Sequence, residues 1–134
     1  MYLKPGMYVK VRENLVVDAE YNGVYFVSAM AKYRGRVFQV KAVENVIYLR
    51  NTDWWCWDIS MFIIVTPPEA VEARARLKIS IYGVGSPGDV IAVKEYDGVI
   101  YLTEKYLPMQ GALSPDEAEL IKEGETWNFT KDNL

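Results

Sequence analysis

Apolar and polar residues alternate through most of the first half of this chain. Met7-Tyr8-Val9-Lys10-Val11-Arg12 places an apolar side chain at every second position, the pattern of a half-buried strand, and Pro5-Gly6 before it is turn chemistry. Glu13 to Asn22 is polar around an island, Leu15-Val16-Val17, and closes on Asn22-Gly23. It reads as a long loop leading to a short strand over Val24 to Val27. Ser28 to Tyr33 carries a capping serine and helix-favouring residues, and Gly35 stops it after one helical turn. Arg36 to Val43 alternates strictly and predicts a strand, Glu44-Asn45 a two-residue turn, and Val46 to Arg50 the returning strand. Asn51-Thr52-Asp53 turns the chain into a strand over Trp54 to Trp57. Asp58 caps a turn through Ser60 and Met61, Phe62 to Val65 is a last strand, and Thr66-Pro67-Pro68 ends the unit.

The second half is read differently, and not as a repeat of the first. Glu69 to Arg76 fits a short helix or the lead-in to a strand, and Leu77 to Tyr82 alternates as a strand. Gly83 to Gly88 is a glycine-rich loop. Asp89 to Tyr96 and Val99 to Thr103 form a hairpin about Asp97-Gly98. Ser114-Pro115-Asp116-Glu117 has the form of a capping box, predicting a helix with an apolar stripe of Ala118, Leu120 and Ile121 and a stop at Gly124. Trp127-Asn128-Phe129 offers an aromatic anchor near the C-terminus. The expected architecture is mainly β with some α: an SH3-like five-stranded barrel over 1–67 and a small strand–hairpin–helix unit over 69–134. The second unit is too small to carry a sizeable core alone, and its free strand edges favour homo-oligomerisation.

Composition narrows the function classes. Of 134 residues, 51% are hydrophobic and 25% charged, as in a globular domain, and the longest apolar run, Met61 to Val65, is too short to span a bilayer. No signal peptide is expected at the N-terminus, and the single cysteine suits a cytoplasmic setting. The net charge of −3 makes nucleic acid an unexpected partner. Histidine is absent, which removes Ser-His-Asp and Cys-His catalysis and histidine-containing zinc sites. No enzyme, metal site or cofactor is expected. The ten tyrosines, four tryptophans and four phenylalanines favour packing and binding surfaces.

Two stretches hold the candidate ligand-binding residues. In the first, Trp54, Trp55 and Trp57 lie beside Arg50 and Asp53, and alternation sends Trp54 and Cys56 to one face and Trp55 and Trp57 to the other. The plain reading is core plus barrel rim. The functional one is an aromatic platform for a base, a proline-rich strand or a cation. Cys56 is expected to be a buried, inert thiol. In the second stretch, Gly83, Gly85 and Ser86 could form an anion nest approached by Arg74, Arg76 and Lys78, although both nucleotide-fold fingerprints fail there. A further basic set, Lys32, Arg34, Arg36 and Lys41, surrounds Tyr33 and reads first as a solvated face, and second, combined with the tryptophans, as a holder of a phosphate or a nucleic-acid backbone.

Gly6-x-x-Val9-x-Val11-Arg12, Met30-x-x-Tyr33-x-Gly35-x-x-Phe38, Tyr48 and Trp55-x-Trp57-x-x-x-Met61 together resemble the SH3-like barrels of small uncharacterised phage and bacterial proteins. The resemblance covers the first half only and implies a fold without a defined activity. The expected function is non-catalytic binding of a small anionic, nucleotide-like ligand, one version being the sequestration of a host-defence nucleotide signal. The alternative is an adaptor that reads a peptide or protein.

Overall fold

The computed structural model describes residues 2–106 and 111–122, and the chain divides into two compact units at Thr66 and Pro67. Each unit is described by itself. The fold is mainly β, and among the described residues the helical turns are all short 3₁₀ segments.

The first unit holds β1 (Tyr8–Val11), β2 (Glu20–Tyr21), β3 (Val24–Tyr25), β4 (Val37–Val43), β5 (Ile47–Leu49), β6 (Cys56–Trp57) and β7 (Phe62–Val65). Five of these make one antiparallel sheet in the order β6-β5-β4-β1-β7. Its edge strands β6 and β7 are joined by only Asp58 to Met61. A flat sheet would hold those edges about 19 Å apart, whereas the link reaches about 17 Å fully extended. It is not extended, because Ile59–Met61 is a 3₁₀ turn. The sheet must therefore curl, and it does, into a half-barrel.

The inner face of that curl is the core: Val9, Val11, Val40, Trp57, Phe62 and Ile64 are all buried. The long loop after β1 carries the small β2–β3 hairpin on Asn22-Gly23, both at positive φ (50° and 89°), and adds Phe26 to the core. Two local expectations change. The β4–β5 turn is a three-residue loop with a register shift between Val40 and Ala42, not a two-residue turn. The strand over Trp54 to Trp57 shrinks to Cys56–Trp57, because Asn51 and Asp53 take positive φ and carry the turn through Trp54.

The second unit holds β8 (Val71–Leu77), β9 (Val90–Tyr96), β10 (Val99–Leu102), β11 (Ala112–Leu113) and β12 (Ala118–Leu120), in the order β11-β10-β9-β8-β12. That is the order of the first sheet, strand for strand. The registers also agree: Val9↔Phe38 and Lys10↔Val37 match Ala75↔Ile91 and Arg76↔Val90, and Val11↔Phe62 matches Leu77↔Ala118. Backbone bonds from Gly35 to Val11 and from Arg12 to Met61 recur as Gly88 to Leu77 and Lys78 to Glu117. The second half thus repeats the first, against the sequence reading. The correspondence extends to residues. Aligned without gaps, 35–50 and 88–103 share eight of sixteen identities, including Val46-Ile47-Tyr48-Leu49 and Val99-Ile100-Tyr101-Leu102.

The helix expected from Ser114 is replaced by a single turn and strand β12. Half of the capping box forms, the Ser114 N–H donating to Glu117 Oε1 (2.7 Å), while the Glu117 N–H donates to the Ser114 backbone carbonyl (3.0 Å) and closes a turn. So short a helix is marginal on its own, and pairing with the edge of β8 supplies ladder bonds instead while burying Ala118. The segment 69–76, left open between helix and strand, is most of β8. The run after Leu77, expected to be strand, is loop. The inward positions of β8, Ala75 and Leu77, pack with Ile91, Val93, Ile100 and Leu113 in the second core. The expected stop at Gly124 and anchor at Trp127-Asn128-Phe129 lie outside the described residues.

Trp57 is the largest fully buried side chain, with Phe26, Tyr33 and Phe62 rings 5.8 to 6.4 Å from its own. Its indole N–H donates to Thr52 Oγ1 (3.3 Å), and that hydroxyl donates to the Leu49 carbonyl (3.1 Å). Trp57→Ala should cost about 3–5 kcal/mol, and Thr52→Val, which orphans the indole N–H, about 1–3 kcal/mol, both measurable by urea denaturation. Equal and negligible effects would show that this chain of bonds contributes nothing.

Candidate functional site

The candidate site lies on the outer face of the first sheet. There an open depression of about 320 Å³ is lined by Tyr8, Arg36, Val37, Phe38, Gln39, Arg50 and Asn51. Strand geometry assembles it. Tyr8 and Gln39 are cross-strand partners on β1 and β4, and the Arg50 N–H donates to the Gln39 carbonyl at 2.9 Å, extending the row past β5. Alternation points these side chains away from the core, since their neighbours Val9, Val40 and Leu49 are buried. Arg36 enters just before β4, where its guanidinium lies 5.5 Å from the Phe38 ring centroid. The lining includes two guanidinium groups and no carboxylate, and among the described residues no carboxylate pairs with either arginine.

The repeat acts as an internal comparison. The positions of Arg36 and Arg50 are held in the second unit by Asp89 and Thr103, and those of Tyr8 and Gln39 by Arg74 and Ala92. The same scaffold occurs twice, but only the first copy carries this cationic, aromatic row.

Of the residues in the two candidate stretches, only Arg50 lines the depression, joined there by Arg36 of the further basic set. Trp57 is wholly buried and is not a ligand-binding surface. Trp54 is 77% exposed and Trp55 partly so, their rings 5.9 Å apart at 32°. Cys56 is exposed rather than buried, because period two puts it outside when Trp57 fills the core. Its thiol lies 3.9 Å from the Tyr48 hydroxyl, a contact that raises the Tyr48 phenol above its ordinary range.

The expected anion nest is already satisfied from within. Ser86 N–H donates to Asp89 Oδ2 (2.8 Å), Gly85 N–H to the Ile81 carbonyl (3.0 Å), and Gly88 N–H to Leu77 (2.8 Å). The chain's own carboxylate occupies the place of an external anion, so Gly85 and Ser86 offer no free donors. Arg74 and Arg76 share the exposed face of β8 and Lys78 follows in the bend just after it, but Arg76 pairs with Glu119 (3.3 Å) and Lys78 donates to the Pro115 carbonyl (2.8 Å). Among the described residues, no cluster of three or more acidic or cysteine side chains is placed to hold a metal ion, and no helix is long and apolar enough to cross a membrane.

Sequence reasoning missed Tyr8, Gln39 and Asn51 and read Arg36 first as solvated, with phosphate binding as its second reading. The outward positions of two confident strands held the signal. What was lacking was the cross-strand register that brings Tyr8 opposite Gln39.

Comparison with protein-family models, curated proteins and solved structures finds no match to this chain.

Asp58 secures the edge link of the first unit. Its carboxylate accepts from the Ser60 N–H (2.9 Å), from the Ser60 hydroxyl, and from the Asn22 amide (3.0 Å) on the β2–β3 hairpin. Burial alone would raise its pKa, but these bonds and one from the Ile59 backbone outweigh it and hold the group below its ordinary value. A carboxyl depressed on folding adds stability above its unfolded pKa, and that stability is lost as pH falls through the folded value. Asp58→Ala should cost about 0.5–2 kcal/mol at neutral pH. Asp58→Asn should retain much of the cap yet flatten the loss of melting temperature at acid pH. An unchanged acid slope in Asp58→Asn would assign that slope to other groups.

Proposed function

We propose that this chain is a non-catalytic binding protein whose first unit holds a small anionic ligand on the Tyr8–Gln39–Arg50 row. The observation that carries the reading is the pair Arg36 and Arg50, unopposed by any carboxylate in the lining, where the second copy of the scaffold has Asp89 and Thr103. Guanidinium groups hold phosphate or carboxylate through paired charge-assisted hydrogen bonds. A nucleotide belongs to this class. The resemblance to phage proteins supports one concrete version, sequestration of a nucleotide signal of host defence. The exposed Trp54 favours a second reading, an adaptor in which that loop meets a protein partner.

Thermal-shift and calorimetric titration with phosphate-bearing and carboxylate-bearing small molecules tests the first reading. Arg36→Ala and Arg50→Ala should each weaken binding about tenfold or more, and binding should weaken with added salt. If no small anion shifts the melting temperature, and Trp54→Ala abolishes a stoichiometric protein complex, the adaptor reading replaces it.

A further inference from the structure

We infer that the depression on the first unit takes a ligand of mononucleotide size, one planar ring system joined to one acidic group, in preference to a bare anion or a dinucleotide. The inference rests on the anion-binding reading above and adds the shape of the ligand to it.

The surface is amphiphilic. Tyr8 is 41% and Val37 51% exposed, on adjacent strands and the same outer face, within the lining that holds Arg36 and Arg50. Tyr8 pairs with Gln39 and Lys10 with Val37, so Tyr8 and Val37 are diagonal neighbours, within reach of a single ring. A bare anion would engage the guanidinium groups and leave the tyrosine ring and the valine methyls in water. A ligand that also carries a ring covers them.

The amides point the same way. Gln39 Nε2 donates to the Gly6 carbonyl at 3.2 Å, which fixes the carboxamide and leaves its oxygen as an acceptor. Asn51, held at φ 66°, adds a second carboxamide to the lining. An amide oxygen offers nothing to an ionised phosphate or carboxylate. It suits an N–H or O–H donor such as the edge of a base or a sugar hydroxyl.

Size sets the upper limit. A volume of about 320 Å³ stands at the lower end of the roughly 300–1,000 Å³ typical of ligand sites. It suits one ring and one acidic group, and a second nucleotide would find no further arginine in the lining.

The test is calorimetric titration of the full chain with adenosine monophosphate, uridine monophosphate, inorganic phosphate, adenosine and cyclic di-adenosine monophosphate. At least one monophosphate should bind about tenfold or more tightly than inorganic phosphate and than adenosine, the scale of one aromatic stacking contact. The cyclic dinucleotide should bind no tighter than the monophosphates. Tyr8→Ala, or Tyr8→Leu if the alanine variant does not fold, should cost the monophosphate about tenfold more affinity than it costs inorganic phosphate, bringing the two together. Phosphate binding as tightly as the monophosphates, or a dinucleotide binding far tighter than both, would overturn this inference and leave the anion-binding reading standing. No binding by any of the anions would overturn both.

Discussion

Each sheet in this protein is bent by the shortness of one connection. Asp58 to Met61 and Ser114 to Glu117 each join the two edge strands of a five-stranded sheet, and four residues in a turn cannot cross a flat sheet of that width. The curl that results separates an inner from an outer face. Once it is set, period-two alternation assigns almost every strand residue to core or surface. The link is secured in the same manner in both units, by a side chain three residues on accepting from the backbone N–H that opens the turn: the Met61 sulfur for Asp58 and the Glu117 carboxylate for Ser114.

Inside the first curl, Trp57 decides the roles of its neighbours. Its indole fills the centre against Phe26, Tyr33 and Phe62, with the N–H satisfied by the otherwise buried Thr52 hydroxyl. A buried indole needs such a partner, and the turn through Asn51 and Asp53 supplies it by folding Thr52 inward. The same turn leaves Trp54 outside. One short stretch therefore gives the core, among the described residues, its largest buried side chain and leaves Trp54 on the surface.

The two units keep a common interior and differ on the outside. Buried positions retain Val40 as Val93, Leu49 as Leu102 and Ile47 as Ile100, because packing inside a curled sheet tolerates little change of volume. Outward positions carry no such limit, and there Tyr8, Arg36 and Arg50 are replaced by Arg74, Asp89 and Thr103. Asp89 accepts from its own loop, so in the second unit this position holds a turn where the first unit presents an arginine to the depression.

The sequence by itself determined, to within a few residues, the five strands of the first unit's main sheet but not β2, together with the Asp97-Gly98 hairpin, the cap at Asp58 and the Ser114–Glu117 contact, since alternation, turn residues and caps act over a few neighbours. It also contained the repeat, in the two Val-Ile-Tyr-Leu segments. That repeat was not read as one because the loop from Arg12 to Arg36 shortens to Lys78 to Asp89, and the spacing between equivalent strands changes along the chain. Only the tertiary structure decided that Ala118–Leu120 is a strand, because the bonds that hold it come from β8, more than forty residues earlier in sequence. It alone decided which tryptophan is buried and that Tyr8, Gln39 and Arg50 form one row, since register across three strands is a long-range property that no local pattern encodes.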